Sequence, residues 1–167
     1  MAYTMLQGGD ITPARIQEML DLERSVYDEC GWQTVEHCVR FLEMEPGCYR
    51  CFVDDETGRL AGNLDIFSVT DDCYERMRAG ELADGSLEPY MMDPSGGNGY
   101  FAGVTIRPEH RGGGLLRMML RSVDFTGFDR VLADAVTPEG ARLCVMAGFE
   151  RIRETGRGSV IYERTRI

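Results

Sequence analysis

Three consecutive glycines, Gly112 to Gly114, follow the β-branched run Val104, Thr105 and Ile106 and lead into an apolar-striped stretch beginning at Leu115. Glycine lets a backbone approach a ligand closely and adopt φ > 0 where a turn demands it. A strand, a glycine turn and a helix in that order direct unpaired N–H groups at whatever sits over the turn. A phosphate group suits such a place. Arg107, Arg111, Arg117 and Arg121 fall in the same segment, although the chain as a whole carries 18 basic against 28 acidic residues, a formal net charge of −10. That balance argues against general nucleic-acid binding, because a phosphate backbone would be repelled. A cationic partner fits better, with a solvated acidic surface that keeps the protein soluble as the competing reading.

A second segment runs from Thr137 to Phe149. Thr137 can cap a helix, Pro138 suits its first position, and Gly148 fits the left-handed residue beyond its end. Between the two segments, Arg130–Val136 reads as a strand.

Together these segments resemble the two signatures of the GNAT superfamily of N-acyltransferases. The family's acyl-CoA motif is Gln or Arg, two residues, Gly, one residue, then Gly or Ala. It falls here on Arg111, Gly114 and position 116, where this chain has Leu116. The resemblance implies an α+β fold of three layers, a central mixed, mostly antiparallel sheet flanked by helices, spanning residues 1–167 as a single domain. It implies acetyl-CoA as co-substrate. The backbone of Val104, Thr105 and Ile106 would align the pantetheine arm, and Arg111, Gly112, Gly113, Gly114, Leu115 and Leu116 would surround the pyrophosphate. The implied activity is transfer of acetyl directly to a primary amine, on a small cationic molecule or a protein amino group. Because Leu116 and Cys144 depart from the family pattern, a catalytically degenerate acyl-CoA sensor or interaction module stays open, as does a homodimer.

Two catalytic positions are candidates, one from the same resemblance and one from the residues themselves. The family's thiolate-protonating tyrosine falls on Cys144, whose ordinary pKa of about 8.5 would allow proton exchange with a thiol; packing is the competing role. For the base, Asp134 stands in an apolar strand where burial would raise its pKa, with Tyr100 and Glu109 as alternatives. A structural aspartate and a water chain compete with that reading. Tyr27 and Trp32 fall where the family's first two helices border the acceptor, with ordinary core or edge aromatics as the competing reading of both.

The elements that must position these residues are legible in outline. A strand is expected at Tyr3–Gln7, helices from Thr12 and Thr34, and a hairpin of Cys48–Asp54 with Arg59–Val69. A helix is expected over Asp72–Ala79, then a long loop Gly80–Gly99, a strand to Arg107, and helices Gly114–Phe125 and Pro138–Ala147. A strand pair, Phe149–Arg153 with Ser159–Thr165, closes the chain. Six cysteines include one closely spaced pair, Cys48 and Cys51, without a second, so no metal is expected. No apolar run is long enough for a bilayer and the first ten residues lack a secretory pattern, so no membrane association and a cytoplasmic location are expected.

Overall fold

A computed structural model of the chain describes residues 1–27, 33–83 and 85–166. Seven strands form one mixed sheet. They are β1 (Tyr3–Leu6), β2 (Tyr49–Asp54), β3 (Leu60–Ser68), β4 (Asn98–Ile106), β5 (Arg130–Ala135), β6 (Glu150–Glu154) and β7 (Val160–Thr165). Their order across the sheet is β1-β2-β3-β4-β5-β7-β6. Among the described residues five α-helices accompany them: α1 (Pro13–Val26), α2 (Val35–Met44), α3 (Asp71–Arg78), α4 (Leu115–Arg121) and α5 (Pro138–Met146). The β4–β5 pair is parallel, whereas β1–β2, β2–β3, β5–β7 and β6–β7 are antiparallel. The expected mixed, mostly antiparallel α+β sheet is thus the observed one.

The helices start where short polar side chains can satisfy orphan N–H groups. Thr12 accepts from Arg15, Thr34 from His37, Thr70 from Cys73 and Thr137 from Gly140. α4 is the exception, because Gly114 at its N-cap has no side chain to offer. It also stops well short of Phe125. The Ser122 hydroxyl turns back onto the Met119 carbonyl at 2.6 Å, and Asp124 then caps a separate 3-10 turn over Phe125–Gly127.

The chain divides into two compact units. The first comprises residues 1–66 and 103–123, so it holds β1, β2, α1, α2, α4 and most of β3. Its interior is built from Ile16, Met19, Phe41, Phe52, Leu60, Leu64, Leu115 and Met119. Gly62 is obligatory there: a Cβ would lie 2.5 Å from the Thr105 oxygen and 2.6 Å from the Met119 side chain. The second unit comprises residues 67–102 and 124–167. Phe101, Phe125 and Phe149 cluster in it with ring centroids 5.6 to 6.1 Å apart. The loop expected over Gly80–Gly99 is partly ordered: Leu87, Met91 and Met92 are buried and Met92 bridges Val69.

Candidate active site

The glycine turn follows a short 3-10 helix (Pro108–His110) after β4 and leads straight into α4. Gly112 and Gly114 have φ of +77° and +90°, conformations that suit glycine and strain any other residue. Nothing lies within 4 Å of where their Cβ atoms would be, so the turn is open. Arg111 through Gly114 are exposed, Leu115 is buried under the helix and Leu116 is partly exposed. With only seven residues in α4, any attraction for an anion here would come from the N–H groups of the turn more than from a helix dipole.

The strand leading into the turn has one edge paired with β3 and the other held only by side chains. Arg107 N donates to the Ala61 oxygen on β3. Alternation along a strand then turns the backbone of Thr105 toward β3 and that of Val104 and Ile106 to the opposite edge. On that opposite edge both carbonyls carry side-chain donors: the Tyr27 hydroxyl reaches Val104 at 3.1 Å, and Arg111 Nε reaches Ile106 at 3.2 Å. At the other end of β4, pairing with β5 covers only Asn98 to Tyr100, opposite Arg130 to Leu132. β5 itself continues to Ala135 alongside β7.

Sequence proximity misplaces one arginine. Arg107 turns inward, donating Nε to the Leu60 carbonyl and lying 3.6 Å from Glu18, so it braces α1 against β3. Arg111, in the turn, and Arg117 and Arg121, on α4, are exposed.

Cys144 and Asp134 belong to the second unit. Cys144 is buried on α5, and burial, assisted by the nearby Asp134 charge, pushes its thiol up to about 11. The Asp134 side chain is 6% exposed, with Oδ2 lying 3.6 Å from Arg157 and Oδ1 without a hydrogen-bond partner. Of the alternative bases, Tyr100 is buried and Glu109 is exposed. Trp32 lies outside the described residues. Sequence reasoning missed a third set of polar groups, Glu23, Asn63 and Asp65, which meet inside the first unit. Their separation of about forty positions left no local signal.

The described cysteines, Cys38, Cys48, Cys51, Cys73 and Cys144, are buried free thiols. Among the described residues no group of three His, Cys, Asp or Glu side chains is gathered to hold a metal ion, and no helix is long and apolar enough to cross a membrane.

No protein-family model and no curated protein sequence matches this chain. Solved structures do. The loading GNATL domain of CurA from Lyngbya majuscula superposes with a TM-score of 0.68 at 13% identity, covering 99% of this chain and 98% of that one. The GphF GNAT-like decarboxylase in complex with isobutyryl-CoA gives 0.67 at 14% identity, covering 97% and 98%. Ard1 from Thermoplasma volcanium gives 0.66 at 12% identity, covering 100% and 99%. With strand order, glycine turn and superposition in agreement over nearly the whole length, this chain has the fold of the GNAT superfamily.

Proposed function

We propose that the protein is an N-acetyltransferase that takes acetyl from acetyl-CoA and delivers it to a primary amine. One fold serves several chemistries, as a decarboxylase among the neighbours illustrates, so the reading must rest on the site. The observation that carries it is the open turn at Gly112–Gly114, whose left-handed Gly112 and Gly114 come one 3-10 turn (Pro108–His110) after a β4 edge that faces away from β3. Such a turn accepts a pyrophosphate, and such an edge accepts the amides of a pantetheine arm.

The chemistry then needs few side chains. Backbone groups of Val104 and Ile106 align the arm, and the N–H at Ile106 polarises the thioester carbonyl. Thr105, whose backbone serves β3, holds the strand in place. An oxyanion donor of this type contributes about 3–4 kcal/mol in other acyl-transfer enzymes. Cys144 retains its proton at neutral pH. Donating that proton to an ordinary thiolate of pKa about 8.5 would run uphill, so Cys144 is a poor donor, and in this reading the leaving group takes the proton that the attacking amine loses, relayed through water. Asp134, held by Arg157, serves the second unit's structure in this reading. The net charge of −10 supports a cationic acceptor by raising its local concentration.

The reading is tested by calorimetry and thermal shift with acetyl-CoA, followed by thiol release across a panel of primary amines. Saturable binding with amine-dependent thiol release is the expected result. Binding without thiol release would favour the sensor alternative, and no binding at millimolar acetyl-CoA would overturn both.

A further inference from the structure

One cleft of the second unit shares no residue with the glycine turn. It has a volume of about 180 Å³ and is lined by Phe125, Thr126, Phe128, Arg164, Thr165 and Arg166, all of which belong to the second unit. Strand register brings them together: Thr165 of β7 stands opposite Arg130 at the start of β5, and the 3-10 turn Phe125–Gly127 comes just before β5 in the chain. The volume compares with the roughly 150 Å³ of a protein cavity that holds a benzene molecule. Thr126, Thr165 and Arg166 are exposed, whereas Phe125, Phe128 and Arg164 are half-buried.

The two rings are fixed by the core beneath them. Phe125 meets Phe101 and Phe149 edge-on, with centroids 5.7 and 5.6 Å away, and both of those residues are buried. Phe128 packs on Gly99, where a Cβ would come within 3.0 Å of its ring. Walls held in this way lose little freedom when a ligand arrives.

Charge is left over at the same place. The Arg164 Cζ lies 5.0 Å from the centroid of the Phe125 ring. Among the described residues Arg164 makes no ion pair, and its guanidinium has one hydrogen bond, a long one of 3.4 Å from Nη1 to the Ala147 carbonyl. A guanidinium carries its N–H donors in one plane as a fork, so most of this fork is unused. The neighbouring acids are engaged elsewhere. Asp124 accepts from the backbone and the hydroxyl of Thr126, and Asp129 accepts from Arg166 through its carbonyl at 2.7 Å and its carboxylate at 3.5 Å. In a chain of net charge −10, an arginine without a carboxylate, flanked by aromatic rings, is a local exception. It matches a planar anion, because arginine pairs with a carboxylate through two parallel hydrogen bonds. The adjacent phenylalanines suit a ring in offset or edge contact.

We propose that this cleft binds a small aromatic carboxylate the size of benzoate, with the carboxylate on the Arg164 guanidinium and the ring against Phe125 and Phe128. Arg166, engaged on one side by Asp129, adds a second cation at the exposed side. An inorganic anion would leave the rings uncovered, and a neutral aromatic would leave the Arg164 fork unmatched. Both halves of the ligand are therefore needed. Binding here uses no residue assigned above to acyl transfer and holds whether or not the chain carries out that reaction.

The test is a titration of the intact 15N-labelled protein with sodium benzoate at constant ionic strength, following backbone amides and arginine Nε–H groups by NMR. Sodium acetate supplies charge without a ring, and benzyl alcohol a ring without charge. Benzoate should give a saturable shift at Arg164 Nε and at the amides of Phe125, Phe128 and Thr165, complete by roughly 10 mM for a ligand of this size. Each control should bind about tenfold more weakly or worse. Arg164→Met keeps an apolar stem on the Phe125 ring while removing the fork, and should weaken benzoate about tenfold or more. Thr165→Trp, at an exposed position, should fill the cleft and do likewise, and it decides alone if Arg164→Met does not fold. No saturable shift in the wild type, an equal response to acetate or to benzyl alcohol, or wild-type affinity in the folded variants would overturn the proposal.

Discussion

Arg157 Nη2 lies 3.6 Å from Asp134 Oδ2, and the same guanidinium donates to the carbonyls of Gly80 at 2.9 Å and Leu82 at 3.4 Å. One side chain from the β6–β7 turn thus compensates a nearly buried carboxylate and two loop carbonyls at once. Removing the cation leaves Asp134 charged and uncompensated, whereas removing the charge of Asp134 leaves nothing buried and unpaired of comparable cost. Urea denaturation should therefore show Arg157→Met destabilised by about 1–2 kcal/mol, an estimate discounted for the exposure of Arg157. Asp134→Asn should lose less. Amine-dependent thiol release in Asp134→Asn should stay within about threefold of wild type, since a general base contributes about 100-fold or more; a larger loss would make Asp134 the base.

Gly114→Ala should test the turn without filling space, because nothing lies within 4 Å of its Cβ position. The cost is conformational: an L residue at φ +90° is disfavoured by about 1–2 kcal/mol. We expect a lower melting temperature and weaker acetyl-CoA binding by calorimetry. Unchanged affinity in the folded variant would place the pyrophosphate elsewhere.

Alkaline pH should expose the buried thiols collectively. Burial raises Cys144 and Cys73 to about 11 and Cys38 and Cys51 to about 12, and raises Cys48 further. In the unfolded chain these thiols ionise near their ordinary value of about 8.5. The folded state therefore holds more protons, and its stability is fully present below the unfolded pKa and is lost as pH rises through the folded values. Urea midpoints at pH 8, 9 and 10 should fall with increasing slope. A flat profile would show that the thiols are less buried than their positions indicate.

Tyr27→Phe should strengthen acetyl-CoA binding. The phenol occupies the Val104 carbonyl, which the pantetheine arm would otherwise use without competition. A neutral hydrogen bond contributes about 0.5–1.5 kcal/mol net, so the dissociation constant should fall roughly two- to tenfold by calorimetry. A weaker affinity would mean that the phenol itself touches the ligand.

The parts legible in the sequence were those governed by near neighbours in the chain. Thr12, Thr34 and Thr137 cap helices three residues away, and Gly112 to Gly114 form their turn from their own φ preferences. α4 was overestimated because its apolar stripe continues to Val123, while Ser122 bonding back to Met119 ends the helix first. Arg107 looked like part of the cradle by position, yet the pairing of β3 with β4 turns it toward Glu18. Glu23 and Asn63 lie 40 residues apart and meet only once β3 is in register under α1. No local pattern encodes that meeting.

The two side-chain donors on the free edge of β4 have a consequence for the protein's life without ligand. A strand edge with bare carbonyls is a template for a strand from another molecule, and proteins blunt such edges by covering or charging them. Tyr27 covers Val104 and Arg111 both covers and charges Ile106. The edge that would hold a pantetheine arm is thereby guarded against self-association while it waits, and the guard is made of groups that a ligand can displace one hydrogen bond at a time.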